Sequence, residues 1–190
     1  MTPIETPRLT LRPWQDADRP AFHAMSQDPG LQEFLIPMTT AAMTDAWIDR
    51  QIAHQALHGF CFWATTTRDG QFVGSVGLYQ VGYEAHFTPA VELGWRIARP
   101  FWGQGHAPEA ATASLHHAFE TLHLPEVVAN TAVANAKSRR VMHKLGMTHT
   151  PDDNFDHPRF PEGDPLRSQV LYRIASDTWL ERAQTETRSR

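Results

Sequence analysis

The spacing of apolar positions changes period several times along the chain, and each change predicts an element. Arg8 to Pro13 alternates Leu9 and Leu11 with Arg8, Thr10 and Arg12, the period of a half-buried strand. Asp16 to Met25 opens on acids and places Ala21, Phe22 and Met25 on one side. Thr40 to Leu57 carries Met43, Trp47, Ile48, Ile52 and Ala56 at helical spacing. Two helices are therefore expected before a hairpin of Phe60 to Thr66 and Phe72 to Tyr79, where Asp69-Gly70 supplies a tight turn. Tyr83 to Pro89 is polar and irregular. Ala90 to Ala98 returns to strand character and breaks at Arg99-Pro100. A helix opens at Pro108-Glu109, with Ala111, Leu115, Ala118, Phe119 and Leu122 on its apolar face. Val127 to Val133 reads as strand, Asn135 to Leu145 as helix closed by Gly146, and Ser168 to Ile174 as a last strand after a loop from Pro151 to Arg167. The order β-αα-βββ-αβ-αβ fits one α/β domain over residues 1–180, a mixed sheet with helices packed on it, followed by a polar tail, 181–190.

Composition narrows the function classes. In 190 residues, 17 Lys and Arg stand against 21 Asp and Glu, a net charge of −4, so no global positive field exists to gather nucleic acid or an anionic membrane. The longest apolar run, Gly59 to Ala64, is too short to span a bilayer, and the N-terminal residues lack the pattern of a signal peptide. With a single cysteine, Cys61, no internal disulfide forms, and a cytoplasmic setting is expected. The 11 histidines raise the question of a metal. His116 and His117 are adjacent rather than four apart, no cysteine pair exists, and the others are scattered, so no metal is expected.

Chemistry concentrates in two segments. Phe101-Trp102-Gly103-Gln104-Gly105-His106-Ala107-Pro108 lies where a strand ends and a helix begins. Its small residues at 103, 105 and 107 let the backbone approach a ligand, and the unpaired N–H groups of a helix start favour an anion. That is the chemistry of a pyrophosphate cradle, although the same residues also suit a plain tight turn. It is neither a Walker A loop nor GxGxxG, so ATP and dinucleotides are poor candidates. In the second segment, Asn135 to Gly146, Asn135 is a natural N-cap. Ser138, Val141, Met142 and Leu145 share one helix face, opposite Lys137, Arg140 and Lys144, a pattern equally served by a capped helix with a solvated cationic side.

Taken in order, four pieces resemble the GNAT superfamily of N-acetyltransferases, and the RimJ/RimL branch in particular: ETPRLTLRPW, VELGWRIARPFWGQGHAPEA, NAKSRRVMHKLGM and FDHPRFPEGDPLRSQVLYRI. The resemblance runs from Thr6 to about Ile174. It implies the acyl-CoA N-acyltransferase fold, a twisted, mixed and mostly antiparallel sheet flanked by helices, with acetyl-CoA as co-substrate. In the family loop Arg/Gln-x-x-Gly-x-Gly/Ala, Trp102 takes the first place, as is usual in this branch, Gly105 the fourth and Ala107 the sixth. Gly103, Gln104 and His106 complete the cradle. By the same resemblance Trp95, Arg96 and Ile97 pair their backbone with the pantetheine arm, Asn135 hydrogen-bonds it from the other side, and Arg139 is a candidate phosphate partner.

The implied reaction moves acetyl to a primary amine, either a protein N-terminal α-amine or a small-molecule amine. An α-amine of pKa near 8 is roughly one tenth neutral at pH 7, whereas a lysine is neutral less than about one part in a thousand, so a base matters more for the second. Glu92, where similar enzymes often carry an acid, is the candidate base, acting directly or through water. Ser138 is the candidate donor to the leaving sulfur. Cys61 lies in an apolar strand without a neighbouring His or cation, which argues against a covalent acyl-cysteine and for direct transfer. By fold analogy the acceptor site involves the first two helices, the Tyr83 to Pro89 loop and the Pro151 to Arg167 loop, where Asp152, Asp153, Asp156, Glu162 and Asp164 could attract a cationic amine or merely solvate the loop. A non-catalytic acyl-CoA sensor or partner-binding module would keep the cradle without needing Glu92 and Ser138. A histidine-based metal enzyme is a third reading. Six tryptophans and the apolar sheet surfaces also permit a homodimer.

Overall fold

The structure, a computed structural model, describes residues 2–188. It shows the expected mixed, mostly antiparallel open sheet with flanking helices, in two compact units. The first comprises residues up to 79 together with 93–114, and the second 80–92 together with the residues from 115 on.

In the first unit, β1 (Ile4–Glu5), β2 (Leu9–Arg12), β3 (Phe62–Thr67) and β4 (Phe72–Gln80) form an antiparallel series. Leu9 and Leu11 are fully buried, as their alternation requires. The β3–β4 turn carries Gly70 at φ +91, the left-handed geometry that suits Asp-Gly. A short 3-10 turn at Asp16–Asp18 precedes α1 (Arg19–Ser26). The turn is fixed by Asp18, which accepts from the Gln15 N–H at 2.9 Å and takes both Arg12 guanidinium nitrogens at 2.7 Å. α2 (Pro29–Gln32) is one turn. α3 (Ala41–His58) starts on the Thr40 cap, whose hydroxyl oxygen accepts from Met43 N–H, and stops at left-handed Gly59.

Only part of the expected apolar face of α3 is buried, at Trp47 and Ile48, while Met43, Ile52 and Ala56 are exposed; the buried part and Phe22 of α1 meet aromatic rings. Phe22 stacks on Trp47 at 4.7 Å, Trp14 meets both edge-on, and Trp47 lies parallel to Phe62 at 6.3 Å. β5 (Val91–Ile97) places its second half in this unit, so close to β4 that a Cβ at Gly74 would sit 2.0 Å from the Arg96 carbonyl oxygen. α4 (His106–His116) begins two residues before Pro108. Proline is tolerated as its third residue because the first turn of a helix has no carbonyl partners for its N–H groups.

In the second unit, β6 (Glu126–Ala132) pairs antiparallel with β9 (Ser168–Ala175) along its length, and Glu92 of β5 lies opposite Val128 in parallel pairing. Two short strands absent from the hydrophobic pattern, β7 (Thr148–His149) and β8 (Phe155–Asp156), also add to β9. After His116 the helical chain widens into a π turn, His117–Thr121, burying Ala118 and Phe119 and leaving Leu122 half-buried. α5 (Ala136–Leu145) runs from the Asn135 cap to left-handed Gly146, with Met142 and Leu145 buried. α6 (Ser176–Arg188) takes up most of the segment expected as a polar tail; Ser189 and Arg190 lie outside the described residues. Among the described residues no helix is long and apolar enough to cross a membrane.

The closeness of Gly74 to β5 yields a test. Gly74→Ala should cost about 2 kcal/mol or more, because the obstacle is backbone, whereas Gly70→Ala, strained in φ but open in space, should cost about 1 kcal/mol. Denaturant midpoints of the two variants measure the difference.

Candidate active site

In the first unit, β5 hands over to the glycine-containing turn through a single 3-10 turn, Arg99–Phe101. Gly103 and Gly105 both adopt left-handed conformations, φ +74 and +83. A Cβ on Gly103 would meet nothing within 4 Å, and on Gly105 only the Arg8 guanidinium at 3.3 Å, so the outer side of the turn is open backbone. The helix start that follows has N–H groups with no intrahelical partner. His106 is buried, its ring edge-on to Phe101 at 5.6 Å, and its Nδ1 has no partner. Open left-handed glycines, a helix N-terminus and an orphaned imidazole nitrogen fit a group rich in acceptor oxygens, as a pyrophosphate is.

Side chains secure this turn from behind. The Trp102 indole N–H donates to the Ile97 carbonyl at 2.5 Å, and Gln104 Nε2 donates to the Pro100 carbonyl at 2.7 Å. Arg99 lies over the Trp102 ring at 5.4 Å while pairing with Asp28 at 2.5 and 2.7 Å. Arg96 sits over the Trp47 ring, 5.2 Å from its centroid, and Trp95 is half-buried.

Thr6, Arg8 and Glu109 clamp the opening of α4. One Glu109 oxygen accepts from the Thr6 hydroxyl at 2.6 Å and the Arg8 N–H at 3.0 Å, and the other from Arg8 Nε at 2.6 Å. The Arg8 Nη1 group also reaches the Gln104 carbonyl at 2.8 Å. Burial pushes the Glu109 carboxyl up, but the Thr6 hydroxyl and the Arg8 groups together hold it below its ordinary value.

The second unit holds Glu92. Asn130 Nδ2 donates to Glu92 Oε2 at 3.2 Å and lies 3.4 Å from the Tyr83 hydroxyl, so one amide ties the carboxylate and the phenol together. Burial, then the Glu92 charge, pushes the Tyr83 phenol up, keeping it protonated. Neither Asn130 nor this arrangement was legible from the motifs. The only local signal is one amide among the apolar residues of β6. Asn135 and Ser138 are also together: Asn135 Oδ1 caps α5 by accepting from Ser138 N–H at 3.1 Å. Its Nδ2 donates to Thr131 Oγ1 at 2.9 Å and Ser138 Oγ at 3.1 Å. Because the Ser138 oxygen accepts from Asn135, its own hydrogen is left to donate. Arg139 instead reaches the Tyr172 hydroxyl at 3.4 Å and the Val133 carbonyl at 3.2 Å.

Of the five loop acids read either as attracting an amine or as solvating the loop, three are engaged by the fold. Asp153 binds Arg173 at 2.9 and 3.1 Å, Asp156 binds Arg167 at 3.1 Å, and Asp164 accepts from Leu166 N–H at 2.8 Å. Cys61 is fully buried beside Gln55, and burial pushes its thiol up, which removes the thiolate that nucleophilic catalysis needs. Among the described residues no group of three His, Cys, Asp or Glu side chains is placed to hold a metal ion.

A strand that ends in an open glycine turn on a helix N-terminus suits a ligand that carries a pyrophosphate. Residues 8–148 match the family described as Acetyltransferase (GNAT) domain, and the chain belongs to that family. It is 31% identical over 186 residues, 93% of this chain and 77% of the relative, to the FsC-acetyl coenzyme A-N(2)-transacetylase of Aspergillus fumigatus. A crystal structure of an acetyltransferase from Agrobacterium tumefaciens superposes with a TM-score of 0.72 at 29% identity, covering 92% of this chain and 94% of that one. RimL, a ribosomal alpha-N-protein acetyltransferase solved with coenzyme A, shares the fold with a TM-score of 0.74 at 20% identity, over 93% of this chain and 99% of that one. The protein is an acetyl-CoA-dependent acetyltransferase, a class that acts on amine acceptors.

The clamp predicts a pH dependence. Glu109 has a folded pKa below its unfolded value, so its contribution is present above about pH 4.3 and is lost as pH falls through the folded value. Glu109→Gln should cost about 1–2 kcal/mol at pH 7, and the gap to the parent should close in acid. Paired urea titrations at pH 7 and pH 3.5 check the sign.

Proposed function

We propose that this acetyltransferase transfers acetyl directly from acetyl-CoA to a primary amine, a protein N-terminal α-amine or a small-molecule amine, within a ternary complex. The observation that carries the reading is the open left-handed turn at Gly103 and Gly105 on the start of α4. Its backbone N–H groups, from Gly103 and Gln104 to His106 and Ala107, receive the pyrophosphate. Trp95, Arg96 and Ile97 offer backbone groups to the pantetheine arm, and Asn135 offers its remaining amide lone pair. Trp102 works through the Ile97 carbonyl that it holds, and Arg139 turns to phosphate only on leaving Tyr172 and Val133.

In the proposed step the amine nitrogen forms a bond to the thioester carbonyl carbon and the carbon–sulfur bond breaks. Glu92 takes the proton that the amine releases, directly or through a water, and the Ser138 hydroxyl donates a hydrogen bond to the leaving sulfur. The sealed Cys61 supports direct transfer over an acyl-cysteine. It also supports a cytoplasmic setting, where a lone thiol stays reduced. The four sequence pieces and the fold likeness to RimL support a place in the RimJ/RimL branch.

Calorimetry with acetyl-CoA, followed by thiol release on a panel of amines, tests the proposal. Gly105→Trp should abolish acetyl-CoA binding, and Gly105→Ala should weaken it, since both add a Cβ to a left-handed residue facing the ligand. Normal affinity in both removes the cradle assignment. Glu92→Gln should bind acetyl-CoA as the parent does and lower turnover about a hundredfold or more. Unchanged turnover across pH removes the base.

A further inference from the structure

Among the described residues, one of the two arginines in the Pro151 to Arg167 segment is left without a counter-charge. Arg167 of the Pro151 to Arg167 segment and Arg173 of β9 are each paired with an aspartate of that segment, at Asp156 and Asp153. Arg159 is different: among the described residues its guanidinium has no carboxylate partner, and neither Asp152 nor Glu162 pairs with it. It lies over the Tyr83 ring, 5.7 Å from the centroid, and a Cβ on Gly82 would stand 3.6 Å from its Nη2. The head group thus lies over residues 82 and 83, on a residue that remains exposed.

The backbone beneath it is held firmly. Arg159 N–H donates to His157 Nδ1 at 3.2 Å, His157 N–H donates to the Arg167 carbonyl at 2.8 Å, and Phe160 N–H donates to the His157 carbonyl at 3.1 Å. Burial, then the Arg159 charge, pushes the His157 imidazole down to about 4, so it stays neutral and its Nδ1 remains an acceptor at ordinary pH. His86 reaches Asp153 at 3.6 Å, joining the Tyr83 to Pro89 loop to this segment. Tyr83 therefore has a carboxylate on its hydroxyl side, Glu92 through Asn130, and an uncompensated guanidinium on its ring face.

We propose that Tyr83 and Arg159 form an acceptor subsite for an amine that also carries a carboxylate, with Arg159 binding the carboxylate while the amine lies toward Glu92. A guanidinium without an internal partner forms a forked, charge-assisted contact with such a group. A polyamine or other polycationic acceptor meets this charge as repulsion. This inference rests on the acetyltransferase reading and names the acceptor's chemistry. The carboxylate can come from a free amino acid or from an acidic side chain near a peptide N-terminus.

Three matched arms test it by thiol release: glycine against glycinamide, the peptide amide Ser-Glu-Ala against Ser-Gln-Ala, and spermidine as the cationic acceptor. At least one carboxylate member should exceed its neutral partner about tenfold or more in kcat/KM. Arg159→Gln should lower that ratio about tenfold, mainly through KM, and Arg159→Glu should move preference toward spermidine. Arg140→Gln, an exposed cation on α5, should leave the ratio as it is. A preference in the glycine pair names a free α-carboxylate, and one in the peptide pair an acidic N-terminal segment. Equal or reversed preferences, or a preference that Arg159→Gln retains, overturn the proposal. A second readout is independent of turnover: titration with N-acetylglycine against N-acetylglycinamide, following the Arg159 Nε–H resonance. Should acetyl-CoA bind and no amine release thiol, the transfer reading fails, and this titration decides the subsite alone: a shift with N-acetylglycine only sustains it, and no shift overturns it.

Discussion

A loop that offers its N–H groups to a ligand cannot use them to hold itself together. In the proposed reading that constraint falls on Gly103 and Gly105. Stability has to come from carbonyls and side chains, and it does: the Trp102 indole takes the Ile97 carbonyl, Gln104 takes the Pro100 carbonyl, and Arg8 takes the Gln104 carbonyl. Glu109 is the centre of this scaffold, because its two oxygens gather Thr6 and Arg8 onto the first turn of α4. A partly buried carboxylate is costly unless several donors meet it, and at Glu109 the Thr6 hydroxyl and the Arg8 groups do so.

The second unit applies a similar economy to charge. Arg167 and Asp156 brace the Pro151 to Arg167 segment, and Asp153 and Arg173 join it to β9. Val81, Phe87, Val128 and Leu171 form the buried cluster against which Tyr83 and Phe155 pack. Tyr83 is thereby fixed by apolar contacts on one side and by the Asn130 amide at its hydroxyl. The Glu92 carboxylate on β5 is held by Asn130, while among the described residues the Arg159 guanidinium on the loop has no carboxylate partner.

Most of the fold was legible because periodic burial and its punctuation agree. Leu9 and Leu11 alternate inward, Gly70 takes the left-handed turn conformation expected of it, and α5 is capped by Asn135 and closed by Gly146 as expected. The π turn at His117–Thr121 was not legible, since an extra residue per turn leaves the apolar spacing nearly intact. The two-residue strands β7 and β8 exist because β9 pairs them, which no local pattern encodes. α6 is too polar to announce itself, with Trp179 as its buried anchor. For the site, Glu92, Asn135 and Ser138 stood out from motif position. The Arg8–Glu109 clamp joins residues 101 positions apart, and Asn130 gains its meaning only where β6 lies beside Glu92.

Cys61 was considered for chemistry and turned out to be packing, and that has a practical corollary. It is the only sulfhydryl of the 190 residues, sealed in the core with its thiolate suppressed. Folded protein therefore presents a blank background to a disulfide dye, so every thiol that develops colour during turnover belongs to released coenzyme. The same sealed sulfur cannot stitch two copies into a covalent pair on exposure to air, so storage without reductant should leave the chain free of disulfide cross-links.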